Sequence, residues 1–201
     1  AGELHAVRGR GEQGDLVLTV PSGTDYVVSV ETWRPAVGRA GRLRRGVSAP
    51  FVPRDVPAVS DLLLARAEGP LPESLDELIG ALHSGRVFAP GDTVRVAWEV
   101  HGLGWRPEQL GYRVEVRENA GGFFSRLGRS LGVVGDRRGQ DLVWTEAGPD
   151  APGALFRAVD VVIPPDFEDG RFTLRLEVSS VGRNALVTER EIEVRGRESR
   201  R

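Results

Sequence analysis

Apolar and charged residues alternate one by one over much of this chain, most clearly in its second half. Because successive side chains of a β-strand point to opposite faces, a period of two places one set in a core and the other in water. The alternation is typical of antiparallel sheets with one solvated face. It is clearest in three segments, residues 94–100, 112–117 and 171–178. The sequence therefore predicts an all-β fold.

Segments of this kind recur after residue 83 at regular intervals, with Gly- and Pro-rich turns between them. Seven short strands in such a length of chain predict an antiparallel immunoglobulin- or fibronectin-like sandwich. The chain contains no cysteine, so the disulfide of immunoglobulin domains is impossible here. The predicted strands are residues 86–89, 92–101, 110–118, 142–146, 155–163, 171–180 and 185–194.

The first part of the chain predicts a smaller β region. Residues 15–20 and 25–33 flank a turn and are expected to form a hairpin that ends before Pro35, since proline cannot donate to a ladder. The Arg- and Gly-rich residues 38–46 are expected as an exposed loop or edge. Two further strands are predicted at residues 47–52 and 58–65.

Two helical segments interrupt the strand pattern. Leucine and isoleucine recur at helical spacing within residues 71–82, which predicts a short connecting helix. A helical insertion is expected at residues 121–135. We therefore expect two domains, residues 1–83 and residues 84–201.

Composition excludes several classes of function. The net charge of −2 gives no overall field for nucleic acid, and no apolar run is long enough to span a bilayer. Without Cys or Lys, the chain has no thiolate or Schiff-base lysine chemistry. The absence of Met and the start at Ala1 predict a processed or excised product, periplasmic or secreted. A cytoplasmic protein that has lost its initiator Met is the alternative.

No catalytic site is predicted. Gly128–Gly132 matches G-x-S-x-G, but an α/β-hydrolase needs a histidine after the serine, and all three histidines precede Ser130. A hydrolase that uses paired carboxylates such as Asp166 and Asp169 is an alternative, and it requires the two to face each other across a cleft. No metal site or cofactor is predicted, although the acidic turn 166–170 has oxygen ligands of the kind that calcium prefers.

Aromatic and basic residues near strand ends are the candidates for binding a partner. Tryptophan beside a loop arginine can anchor a protein or a glycan, or it can cover the core. By contrast, Trp98 and Trp144 occupy inward strand positions and are expected in the core. Clustered arginines are expected to be solvated, or else to contact an acidic partner or lipid head groups. The candidate partner-binding residues are Trp33, Arg42, Arg44, Arg45, Trp105, Phe123 and Phe124.

Four segments resemble the β-sandwich region of exported bacterial proteins of the GWxTD-associated class. They are residues 59–64, 96–103, 124–132 and 170–178. The GWxTD motif itself is absent, because Gly104 and Trp105 are followed by Arg106 and Pro107. The resemblance implies an accessory, extracytoplasmic, non-catalytic role and assigns no functional residue.

The predicted function is therefore a non-enzymatic interaction module in a larger assembly outside the cytoplasm. A protein partner is expected, a glycan or membrane-surface contact is possible on the same residues, and nucleic acid is not expected. The alternatives are a carbohydrate-binding module, which would use Trp33 and Trp105, and the carboxylate hydrolase.

Overall fold

The structure, a computed structural model, describes residues 20–49, 51–83, 85–119 and 141–196. The chain forms two compact units, Ala1–Pro53 and Arg54–Arg201. The predicted helical insertion at 121–135 and the predicted strand at 15–20 lie outside the described residues, except for Val20.

The first unit contains a long two-stranded hairpin. Strand β1 (Thr24–Arg34) pairs with β2 (Arg39–Ala49), with Thr24 opposite Ala49 and Arg34 opposite Arg39. A single turn of 3-10 helix, Pro35–Val37, joins them, and Gly38 leaves it with a φ of 58°. The strand β1 ends before the proline as predicted, and its partner in the hairpin is the segment that was expected as an exposed loop or edge.

The second unit is a sandwich of two sheets. In the first sheet, β3 (Ala58–Val59) and β4 (Leu63–Arg66) pair in succession with one edge of β6 (Thr93–Leu103), and β9 (Gly153–Val162) pairs with the other edge. The second sheet has the order β5-β11-β10-β7-β8. Only its β5–β11 pair is parallel. Its strands are β5 (Val87–Phe88), β7 (Gln109–Glu118), β8 (Asp141–Ala147), β10 (Gly170–Ser180) and β11 (Leu186–Val194).

The alternating pattern places the core between these two sheets, and the all-β fold is confirmed. Inward residues such as Val96, Val114 and Leu174 are fully buried, whereas Arg113, between the buried Tyr112 and Val114, is exposed. The ends of the seven strands after residue 83 fall within two residues of the predicted ends. The predicted strand 58–65 is interrupted, because β3 and β4 are separate.

A third, partial layer covers the outer face of the first sheet. Helix α1 (Leu75–Ile79) begins after Ser74, whose hydroxyl accepts a hydrogen bond from the Glu77 amide at 3.3 Å. Leu78 packs with Ala65 and Ala97 in a second small core. Residues 54–83 therefore belong to the sandwich unit, and the chain divides after Pro53, whereas the sequence placed the boundary after residue 83.

Candidate binding surfaces

The hairpin exposes apolar side chains that a folded unit normally buries. Val27, Trp33 and Leu43 are 71%, 63% and 66% exposed. Three more exposed valines lie in the same hairpin, Val30, Val37 and Val47. Sequence reasoning identified only Trp33 among these residues. The adjacent apolar pair Val27 and Val28 could have indicated this exposure, because neighbours in a strand lie on opposite faces and the pair therefore places an apolar side chain on each face.

The register assigns the candidate residues to the two faces of the hairpin. Directly opposite residues share a face, and successive residues alternate. Trp33, Arg42 and Arg44 therefore lie on one face. Arg45 lies on the other face with Leu43. The structure brings all four candidates of the first unit together on one ribbon, but not on one side of it.

The hairpin is strongly basic. Between Thr24 and Ala49 it carries five arginines and two carboxylates, a net charge of +3. Arg42 Nε pairs with Glu31 Oε1 at 2.8 Å, with both side chains more than half exposed. Among the described residues, the other four arginines form no ion pair. Their positive charge is available to a partner.

A shallow groove lies beside Trp33. It has a volume of about 490 Å³, and its walls include the ion pair of Glu31 with Arg42. The groove combines an indole with an exposed ion pair.

The second candidate surface is in the sandwich unit, at the loop between β6 and β7. Trp105 is 56% exposed, and its Nε1 donates to the Arg54 carbonyl at 3.1 Å. That hydrogen bond restrains the ring while part of its surface stays open to solvent. Trp105 therefore does not serve only as a cover for the core.

Two glycines hold this loop against its neighbours. Gly102 has a φ of 75°, and a Cβ there would lie 2.2 Å from the Val56 carbonyl oxygen. Gly104 has a φ of 82°, and its Cβ would lie 2.3 Å from the Ala151 oxygen. Both the backbone conformation and the close approach require glycine. The loop that carries Trp105 is thereby packed on both sides.

A cavity of about 250 Å³ opens beside the Trp105 ring. One wall includes Glu108, whose carboxylate accepts from Ser180 Oγ at 2.9 Å and pairs with Arg183 at 3.0 Å. The rim includes exposed Arg106 and Asp150. The cavity thus offers an aromatic surface together with charged groups that can donate and accept hydrogen bonds.

Arg95 is a structural residue that sequence reasoning missed. Its side chain is 4% exposed, and it binds Asp160 through Nε at 2.8 Å and Nη2 at 3.0 Å. The remaining donors reach the carbonyls of Glu68, Gly69 and Pro70. All five guanidinium hydrogens are used. The hydrogen bonds that Arg95 donates to Asp160 raise the pKa of Arg95 above its ordinary value, against the opposite effect of burial.

An aromatic cluster lies between the sheets. Trp98 and Tyr112 are buried as the pattern predicts, and partly buried Trp144 stacks on Tyr112 with ring centroids 4.9 Å apart. Beside them, Arg157 Nε pairs with Glu146 Oε1 at 2.7 Å and links β9 to β8. Burial raises the pKa of Tyr112 above its ordinary value, and the Glu146 carboxylate raises it further. Tyr112 Oη and Trp98 Nε1 have no hydrogen-bond partner among the described residues.

The remaining candidates from the sequence are the carboxylates of the acidic turn and two phenylalanines. Asp166 and Asp169 are both exposed, and Asp169 Oδ1 accepts a hydrogen bond from the Gly196 amide at 2.6 Å. Within the described ranges, no three His, Asp or Glu side chains are grouped so that they could hold a metal ion. No helix there is long and apolar enough to cross a bilayer. Phe123 and Phe124 lie outside the described residues.

Comparison with known proteins identifies no family for this chain. No family model and no curated protein matches the chain. One solved structure that it matches is the sporulation control protein Spo0M from Bacillus subtilis, at 9% sequence identity and a TM-score of 0.39. That match covers 70% of this chain and 49% of the Spo0M chain, so the present chain spans about half of that protein.

Proposed function

We propose that this protein is a non-catalytic interaction module, a domain or subunit of a larger assembly outside the cytoplasm, and that the β1–β2 hairpin makes its principal contact. The observation that carries the proposal is the exposure of Val27, Trp33 and Leu43 on one basic ribbon. The hairpin exposes six large apolar side chains in all, and such a concentration on one element marks an interaction site.

The hairpin's own stability supports a role in binding. A two-stranded hairpin in water is marginally stable at best, and a third strand or a packed face is normally needed. In β1 and β2 only Tyr26, Val28 and Ala49 are even partly buried. A partner that covers the apolar residues would remove both the exposure and the marginal stability.

We infer further that the sandwich is of the immunoglobulin or fibronectin kind. The order β11-β10-β7-β8 matches the G-F-C-C′ arrangement of variable-type domains, and β6 paired with β9 matches strands B and E. Strand β5 runs parallel to β11 at the edge. The extracytoplasmic location rests on the resemblance to GWxTD-associated proteins and on the composition of the chain.

Site-specific photo-crosslinking tests the contact in extracts and membranes of the producing cells. A benzophenone side chain at Leu43 reports on the hairpin, and one at Val143 is the matched control. The two positions are 66% and 64% exposed, but Val143 lies on the outer face of the sandwich. We expect a discrete adduct from position 43 and none from position 143. Equal labelling at both positions would contradict the proposal.

Binding of a carbohydrate at Trp105 is the second candidate function. The observation that favours it is an indole with its Nε1 fixed by Arg54, partly open beside a cavity that has charged groups at its rim. Flat aromatic surfaces of this kind stack on sugar rings, and the polar groups fix orientation. A glycan array with the intact chain should give hits that Trp105→Ala abolishes and Trp33→Ala retains. Hits that survive Trp105→Ala, or none, would dismiss this candidate.

A further inference from the structure

We propose that the tip of the hairpin, residues 33–40, docks on the anionic lipid surface of a bilayer. The proposal rests on the interaction function above and names what the hairpin contacts.

Exposed apolar residues occur on both faces of the ribbon and at its end. Near the tip, Trp33 lies on one face and Leu43 on the other, while Val37 is in the turn and 61% exposed. A protein partner that packs on a two-stranded ribbon covers one of its faces. The interfacial layer of a membrane surrounds an inserted tip on all sides, so apolar groups on both faces are accommodated.

The charges lie where an anionic surface would meet them. Arg34 and Arg39 face each other at the last pair before the turn, and both are exposed. Arg42, Arg44 and Arg45 follow along β2. Arginines next to an exposed Trp match the composition of membrane-interface segments, in which the indole lies at the level of the head groups. Polybasic segments gain free energy at such a surface for each arginine within about a Debye length of it.

The backbone limits the depth of insertion. Within the described ranges, the outer edges of β1 and β2 have no strand partner, so their free amide and carbonyl groups need water. Unpaired backbone groups are not tolerated in the hydrocarbon core of a bilayer. The tip therefore stays at the level of the head groups, with Trp33 and Val37 reaching the acyl boundary and the arginines on the phosphates.

Vesicle flotation with the full chain tests the proposal. The probes are vesicles of phosphatidylcholine alone and of equal parts phosphatidylcholine and phosphatidylglycerol, at low and at high salt. We expect binding to the anionic vesicles only, weakened by salt. The double variant Arg34→Gln/Arg39→Gln should bind up to about thirtyfold more weakly. The matched control Arg113→Gln/Arg171→Gln removes two exposed arginines of the sandwich and should bind as the unaltered chain does.

A second readout follows insertion itself. The intrinsic fluorescence should shift to the blue with anionic vesicles, and Trp33→Phe should lose the shift while Trp105→Phe keeps it. Equal loss of binding in the two arginine pairs, or no binding to anionic vesicles, overturns the lipid proposal. If flotation fails while the residue 43 crosslink yields a protein adduct, the interaction function stands with a protein as partner. If both fail, the interaction function falls as well.

Discussion

The two compact units of this chain differ in where their apolar side chains lie. In the sandwich, Trp98, Val114 and Leu174 are completely buried between two sheets. In the hairpin, Val27, Trp33 and Leu43 have the same chemistry and remain mostly exposed. The sandwich is stabilised by its own core, whereas the hairpin has no comparable core among the described residues. This difference is the reason for proposing that the first unit contacts a partner.

Charged groups show the same difference. Arg95 satisfies every one of its donors inside the sandwich, and Arg175 on the outer face bonds to both Glu115 and Glu177. In the hairpin only Arg42 has an ion-pair partner among the described residues, and that pair is exposed. Arg95 and Arg175 are therefore structural residues of the sandwich, whereas four of the five hairpin arginines have no ion-pair partner among the described residues.

Truncation of one tryptophan in each unit should give the largest contrast. Trp98→Ala removes a fully buried ring between the sheets and is expected to cost about 3–5 kcal/mol of unfolding free energy. Trp33→Ala removes an exposed ring and should cost less than about 0.5 kcal/mol. Urea unfolding followed by circular dichroism measures both. A Trp33→Ala cost close to that of Trp98→Ala would mean that the hairpin has a structural cover, and the comparison would fail.

Neutralising one ion-paired arginine in each unit should give the next largest contrast. Arg95→Gln leaves Asp160 and three backbone carbonyls without their donor, and because Asp160 is partly exposed we expect a loss of about 2–4 kcal/mol. Arg42→Gln breaks only the exposed pair with Glu31 and should cost less than about 1 kcal/mol. Denaturant titration gives the two values.

Hydrogen exchange separates a local from a global effect of these variants. Because Arg95 binds the chain at Glu68 and Pro70, Arg95→Gln should speed amide exchange there and in α1 before it affects β7. Uniform acceleration throughout the sandwich would show that Arg95 does not hold this layer specifically. Arg42→Gln should leave exchange in the sandwich unchanged.

Matched glycines compare the packing of the two units more finely. Gly102 and Gly182 both have a φ of 75°, and Gly38 at the hairpin turn has a φ of 58°. Only Gly102 has backbone within reach of a new Cβ. Alanine at Gly38 or Gly182 should cost about 1–2 kcal/mol for the backbone conformation alone. Alanine at Gly102 should add about 1–3 kcal/mol from overpacking. Equal melting temperatures for the three variants would contradict this.

The sequence allowed the sandwich to be predicted well because its strands are amphipathic in the simplest way. Within residues 110–116 of β7 and 172–178 of β10, each inward residue is apolar and each outward one is polar or glycine, so a period of two located the strands. The exceptions arise where a charged side chain points inward at the rim. Arg190 lies on the inner face of β11, and its Nη1 donates to the Leu62 carbonyl at 2.6 Å. Burial lowers the pKa of that guanidinium. Its partner is distant in sequence, so no local pattern could have predicted the contact.

The domain boundary and the candidate sites were harder to predict because they too depend on contacts between residues that are distant in sequence. Residues 54–83 contain few strand residues, and they join the sandwich through long-range pairing of β3 and β4 with β6. The hairpin strand β2 is rich in Arg and Gly, so its composition indicates a loop even though its register is set by pairing with β1. Trp33 and Trp105 could be selected from sequence because each lies near the end of a strand and precedes an arginine. Their exposure depends on what packs around them.

Replacing the two tyrosines should give the smallest change in unfolding free energy, and its dependence on pH tests whether Tyr112 is buried. Tyr112 is in the aromatic cluster of the sandwich, and Tyr26 in the hairpin donates its hydroxyl to the Pro21 carbonyl at 2.6 Å. The folded pKa of Tyr112 lies above the ordinary value of 10.0. Above that pH the unfolded chain releases a proton that the folded chain keeps. The unfolded state then binds fewer protons, so the free energy of unfolding falls as the pH rises.

The loss should reach up to about 1.4 kcal/mol for each pH unit above the unfolded pKa. Tyr112→Phe should remove this alkaline loss and cost less than about 1 kcal/mol at neutral pH, because Tyr112 Oη has no hydrogen-bond partner among the described residues. Tyr26→Phe should leave the loss in place. Urea unfolding of the three chains at neutral and alkaline pH measures both effects. An alkaline loss that persists in Tyr112→Phe would show that this hydroxyl does not titrate as a buried group.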